Sequence, residues 1–175
     1  MSRLSRPLGT LTLAWFLLSA CGSPLYRWQF QNQLLQADEK MDDGQYAEAA
    51  AQYQALAQTA ERHDLLRYIQ LRLAVLEDRQ GHVQPALDAY RRIFERPVSP
   101  YDDDAGEALY RTALIQRDAL HDAAAARVTF DRVLARSPDT AFAVDAMDAR
   151  IEEFRATGQS VQAVAYCDLW LSRLR

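Results

Sequence analysis

Residues 80–93 read QGHVQPALDAYRRI, and their phase decides the fold. Gly81 suits the turn that ends one helix. Ala86, Tyr90 and Ile93 follow at i, i+4 and i+7, which is one face of a second helix. The same arrangement occurs three more times, at 43–56 (DGQYAEAAAQYQAL), 120–133 (LHDAAAARVTFDRV) and 157–170 (TGQSVQAVAYCDLW). Its alanines are Ala49, Ala86, Ala126 and Ala163, its larger packing residues Tyr53, Tyr90, Phe130 and Cys167, and its third positions Leu56, Ile93, Val133 and Trp170. Alanine lets two helices approach closely, and the large residue fills the wedge beside it. The turn position is Gly44, Gly81 and Gly158 in three copies and His121 in the other.

Upstream of each turn lies another stretch with one apolar face. These faces are Phe30, Leu34, Ala37 and Met41; Leu66, Tyr68, Ile69, Leu73 and Leu76; Leu109, Ala113 and Gln116; and Ala143, Met147, Ile151 and Phe154. The pattern predicts four helix–turn–helix hairpins, at 25–42/45–59, 64–79/82–96, 103–119/122–136 and 140–156/159–174. Six glycines and six prolines leave few hairpin-turn signals for strands, so the chain reads as all-α. Periodicity alone also admits another antiparallel helical solenoid or a closed bundle.

The four copies resemble tetratricopeptide repeats over residues 30–174. The resemblance implies a right-handed α–α superhelix of about four hairpins and a protein-binding role. The first helices lack that family's tryptophan and glycine, the third copy lacks the turn glycine, and Cys167 stands where an aromatic is usual. A narrower likeness lies in Pro97, Ser99, Pro100, Tyr101, Ala108, Leu109, Tyr110 and Arg111, followed by Pro138, Asp139 and Thr140. This is similar to periplasmic repeat proteins of the outer-membrane-protein assembly lipoprotein and the Tol-Pal-associated coordinator, a group with which pilotin-type proteins are also compared. Proline cannot continue a helix, and Ser99 or Asp139 can cap the next one.

The other informative stretch is LSACG, residues 18–22, which follows the basic MSRLSRPLG and the apolar TLTLAWFLLSA. A spanning helix needs about 20 apolar residues, and this run is shorter. A basic region, a short apolar region and small residues describe a secretory signal. Leu18-Ser19-Ala20-Cys21 further resembles a bacterial lipobox. That resemblance implies a signal peptide at 1–20, a lipidated Cys21 and short tether at 21–29, and the solenoid at 30–175. An ordinary signal peptide with an incidental cysteine, or a retained anchor, is the alternative. Gly22 in place of aspartate after the cysteine implies the outer membrane, periplasmic face. Several acyl chains would anchor firmly where one is marginal. With Cys21 lipidated, Cys167 has no partner for a disulfide and reads as a small apolar packing residue. Tyr26, Trp28 and Phe30 follow the tether closely enough to meet the lipid interface, with core packing the alternative.

The net charge is −4, and −6 without Arg3 and Arg6, a balance unsuited to nucleic acid. Asp102–Asp104 lack the alternating oxygen-ligand spacing of a calcium loop and suit a helix N-terminus. His63, His82 and His121 fall in or beside turns without a metal-ligand spacing. No nucleophile elbow, phosphate loop or redox cysteine pair is present. The sequence therefore predicts no catalytic residue, metal or cofactor.

Binding is the expected class. A stack of hairpins exposes a groove lined by the first helix of each pair. Its phase places Gln31, Asp38, Tyr68, Arg72, Arg79, Arg111, Asp118, Asp148, Glu152 and Arg155 there. A second expected surface is the last helix, which is apolar on more than one face through Val161, Val164, Tyr166, Trp170, Leu171 and Leu174, where polar capping is usual. The expectation is an outer-membrane-anchored adaptor holding a protein partner of the cell envelope, with self-association through the last helix as a further possibility. A structural subunit docked through that helix, or a cell-wall enzyme or its regulator, are the other readings.

Overall fold

The computed structural model describes residues 24–60, 63–95 and 102–173. Among the described residues there are eight α-helices and no strand. They are α1 (Pro24–Asp42), α2 (Tyr46–Thr59), α3 (His63–Arg79), α4 (Val83–Phe94), α5 (Asp103–Asp118), α6 (Ala123–Arg136), α7 (Ala141–Ala156) and α8 (Ser160–Arg173). The eight helices fall where the four predicted hairpins placed them. The chain divides into two compact units, Met1–Gln52 and Tyr53–Arg175, with the boundary inside α2.

In the first unit α1 buries Phe30, Ala37 and Met41, the expected face, and leaves Leu34 half-buried. Gly44, at φ 78°, turns the chain, and the Gln45 N–H donates to the Lys40 carbonyl at 2.9 Å. This closes the end of α1 with one of its last carbonyls satisfied. Lys40 and Glu48 pair across the turn.

In the second unit each helix from α3 to α8 packs on the next, and α5 packs on both α3 and α7. First helices therefore form one layer, and the second helices pack beside it. The repeated alanine, large residue and apolar residue lie in the core: Ala86, Tyr90 and Ile93 in α4, and Ala126, Phe130 and Val133 in α6. Burying a large apolar side chain stabilises by about 1.5–3 kcal/mol, so this register accounts for much of the hairpins' cohesion. In α8, Ala163 and Trp170 are buried, but Cys167 is only half-buried and has a free thiol. The neighbouring Tyr166 supplies the ring there, 5.6 Å from Phe154 and 6.3 Å from Trp170 between centroids.

The turns repeat as faithfully as the helices. Gly81 and Gly158 have φ of 76° and 71°. His121 takes the same left-handed region at φ 53°, so the copy without glycine keeps the turn. Asp102 caps α5 by accepting the Ala105 N–H at 3.1 Å, and Asp103 and Asp104 occupy the first turn, where the macrodipole favours them. Thr140, and not the expected Asp139, caps α7 by accepting the Ala143 N–H at 3.3 Å. Thr140 also donates to the Ser137 carbonyl at 2.8 Å, which fixes its hydroxyl at the helix entrance, while Asp139 is exposed. Ser99 lies outside the described residues.

Candidate partner-binding surfaces

Two of the arginines expected to line the groove, Arg72 and Arg111, meet acids of the adjoining hairpin. Arg72 reaches from α3 to Glu107 of α5 at 2.5 Å, and Arg111 binds the other oxygen of the same carboxylate through Nε at 2.7 Å. Arg72 also lies over the Tyr68 ring, 5.0 Å from its centroid. Arg111 stands 4.0 Å from Asp78, whose carboxylate accepts the Tyr90 hydroxyl at 3.3 Å. Burial pushes the Asp78 carboxyl above its ordinary value, with Arg111 opposing it.

Nearby, Arg67 binds Asp102 at 2.6 Å and donates to the Ile93 carbonyl at 2.9 Å. Asp104 stands 3.8 Å from its Nε, and burial raises that acid's pKa, with Asp102 adding to the effect. These pairs span α3 and α5 and fasten the second hairpin to the third. Sequence reasoning missed Arg67. Its only signal was an arginine beside an apolar face, and the acid nearest it on its own helix, Asp64 three residues before, gave no hint of a partner on the next hairpin.

The remaining groove residues are placed as follows. Gln31 is exposed and Asp38 half-buried in α1. Arg79 is exposed near the end of α3. Asp118 pairs with Arg117 at 2.7 Å, which holds its carboxyl below the ordinary value. Asp148 is exposed, and Glu152 pairs with Arg155 at 2.5 Å with both side chains open to solvent. The α3–α5 part of this layer is an internal ionic seam, whereas Asp148, Glu152 and Arg155 of α7 are open to solvent.

Clefts recur where the second helix of one hairpin meets the next hairpin. One of about 490 Å³ is lined by Gln54 of α2 and by Gln70, Glu77, Asp88 and Arg92 of α3 and α4. The next, of about 210 Å³, runs between Leu87, Arg91 and Phe94 of α4 and Thr112, Gln116, Thr129 and Arg132 of α5 and α6. The third is an apolar notch of about 30 Å³ bounded by Leu134, Pro138, Ala143, Val144, Met147 and Trp170.

The α6-to-α8 junction shows how one hairpin holds the next. Asp131 accepts the Tyr166 hydroxyl at 2.6 Å and stands 3.3 Å from Arg150 Nε. Burial lifts the Tyr166 hydroxyl above its ordinary value, and the bond to Asp131 adds to this. Arg127 pairs with Glu153 at 3.3 Å, and Leu134 is buried. Arg150 also stacks on Phe154 and Tyr166, at 5.0 and 5.3 Å.

On α8, Val161 and Val164 are 81% and 62% exposed, and Leu171 is 50% exposed. Trp170 is 7% exposed and corrects the expectation that it joins this patch. Its phase shares the core side with Ala163, seven residues earlier. Leu174 and Cys21 lie outside the described residues. Among the described residues no three His, Cys, Asp or Glu side chains form a metal-holding group. None of the described helices is long and apolar enough to cross a membrane.

Residues 107–140 match the tetratricopeptide repeat family model. The chain contains a tetratricopeptide repeat. The match covers most of α5, all of α6 and the entrance to α7, so it falls on the copy whose turn is His121. An all-helical repeat of this kind is typical of protein-binding scaffolds and adaptors. None of the curated proteins matches the chain.

Proposed function

We propose that this tetratricopeptide-repeat protein is an adaptor, tethered by lipid at Cys21 to the periplasmic face of the outer membrane, where it holds a protein partner of an envelope assembly. The observation that carries the adaptor reading is the stacked repeat itself, matched over 107–140 and continued in phase by its neighbours. Stacked hairpins expose long surfaces in proportion to their number, which suits recognition of another chain. The tether is supported by Leu18-Ser19-Ala20-Cys21 after a basic and then apolar stretch. Confinement at a membrane raises the effective concentration of adaptor and partner, so modest affinity suffices.

The test has two arms. Labelling with an alkynyl fatty acid in a bacterial host should mark the wild-type chain and not Cys21→Ser, and the label should fractionate with outer membrane. Equal labelling of the two would remove the lipid anchor. Photocrosslinkers at Tyr68, Arg79 and Asp148, and separately at Val164 and Leu171, should join the chain to an envelope protein. Absence of any adduct from both sets would remove the adaptor reading.

A docked structural subunit is the second reading, favoured by the exposed Val161, Val164 and Leu171 of α8. Adducts confined to α8 would select it.

A further inference from the structure

The fourth hairpin repeats, uncovered, the edge by which the third hairpin holds the fourth. On α6 that edge is Arg127, Asp131 and Leu134, which engage Glu153, Arg150 with Tyr166, and the apolar notch. One repeat earlier the same phase gives Leu87, Arg91 and Phe94, which line the cleft against α5 and α6. One repeat later, 37 residues on, it gives Val164, Asp168 and Leu171.

The contrast in burial is direct. Phe94 and Leu134 are 7% and 4% exposed, whereas Leu171 is 50% exposed. Asp131 has two partners on the following hairpin, whereas Asp168 is exposed and has no hydrogen bond or ion pair among the described residues. On the first-helix side the equivalent of buried Ile115 is Glu152, and that of buried Ala108 is Asp145, both exposed. The uncovered edge is therefore an apolar pair, Val164 and Leu171, flanked by Asp168 and Asp145 and by Glu152, which pairs with Arg155.

We propose that this edge docks a basic amphipathic helix from a partner protein, stacked on α7 and α8 as a further hairpin would be. An arginine of the incoming helix would meet Asp168 as Arg150 meets Asp131. Its apolar face would cover Val164 and Leu171, and a further basic side chain would face Asp145. Charge complementarity selects a basic helix over an acidic or neutral one. The proposal rests on the adaptor reading and specifies the partner's chemistry.

The test uses the full chain and a stapled, fluorescein-labelled peptide spanning residues 140–157, with Asp145→Lys, Asp148→Lys and Glu152→Lys making it basic. The peptide keeps Arg150 and the apolar phase of the helix that already stacks on such an edge. Anisotropy should show saturable binding, weakened by about tenfold or more by Leu171→Glu and by Asp168→Arg. A second peptide that adds Arg150→Asp should recover affinity on the Asp168→Arg chain. Circular dichroism of both chain variants should match wild type, because both side chains are solvent-exposed.

Absence of binding, or equal binding to wild type and both variants, would overturn the proposal. So would a wild-type dimer in sedimentation that Leu171→Glu dissolves, since a second copy would then own the edge. A partner crosslinked through Tyr68 or Asp148 alone, with no peptide binding, would leave the adaptor and remove this site.

Discussion

His121 holds φ at 53° in the turn position where Gly81 holds 76°. A side chain in the left-handed region costs roughly 1–2 kcal/mol, because Cβ crowds the following carbonyl. Glycine escapes that cost but loses more chain entropy on folding. His121→Gly should therefore stabilise the chain by about 1 kcal/mol or less, and Gly81→Ala should destabilise it by about 1 kcal/mol. Urea midpoints decide both signs. A destabilised His121→Gly would mean that the imidazole contributes contacts worth more than the strain.

This turn shows what the sequence could and could not disclose. Spacing predicted the hairpin because Ala126, Phe130 and Val133 keep their phase whatever residue turns the chain, and all three are buried. The fate of the arginines was not legible. Arg72 and Arg155 both read as groove cations by helical phase, yet one spans two hairpins and the other pairs three residues away on its own helix. Which acid an arginine meets depends on the offset between stacked helices, and single-helix periodicity carries no record of it. Trp170 was read two ways: the repeat phase put it with the packing positions, where it lies, while its place in a helix apolar around most of its girth also put it in the outer patch.

The seam at Glu107 gives a second prediction. Its side chain is 9% exposed and takes both Arg72 and Arg111. Removing one member of a buried ionic cluster strands the others, at a cost of about 3–5 kcal/mol. Glu107→Ala should fall in that range, while Arg155→Ala, from a pair two-thirds exposed, should change stability by less than about 1 kcal/mol. Thermal unfolding of the two variants checks the ordering. The same ordering means that charge reversal at Arg72 or Arg111 would report folding before it reported a lost ligand.

Asp78 gives a pH signature. Burial raises its pKa above 3.8 in the folded chain, so folding favours the protonated form. Its contribution is therefore fully present below the ordinary carboxylate value and is lost as pH rises through the raised folded value. Asp78→Asn keeps an acceptor for the Tyr90 hydroxyl and removes the titration. Wild type minus Asp78→Asn stability should fall as pH climbs from about 3.8 toward neutrality and then level off. Urea unfolding of both chains across that range measures it, and a difference that grows with pH would mean that the Arg111 attraction outweighs burial.

Gly106 sets the spacing between α5 and the entrance to α7. A Cβ built there would lie 3.2 Å from Ser137 Cβ and 3.3 Å from Thr140 Oγ1. Alanine gains about 1 kcal/mol of helix propensity over glycine. Overpacking a filled site costs about 1–3 kcal/mol, and here the obstacles are poorly able to move. Ser137 Cβ is fixed to the backbone that ends α6, and Thr140 Oγ1 is held by its bonds to Ser137 and Ala143. Gly106→Ala should therefore be net destabilising, by about 1 kcal/mol. In a Ser137→Gly background, where the closest atom is gone, the same substitution should approach neutrality or become stabilising. A double-mutant cycle from urea unfolding reads the coupling directly. Additive behaviour would show that the helices separate to admit the methyl group, so that Gly106 does not set their distance.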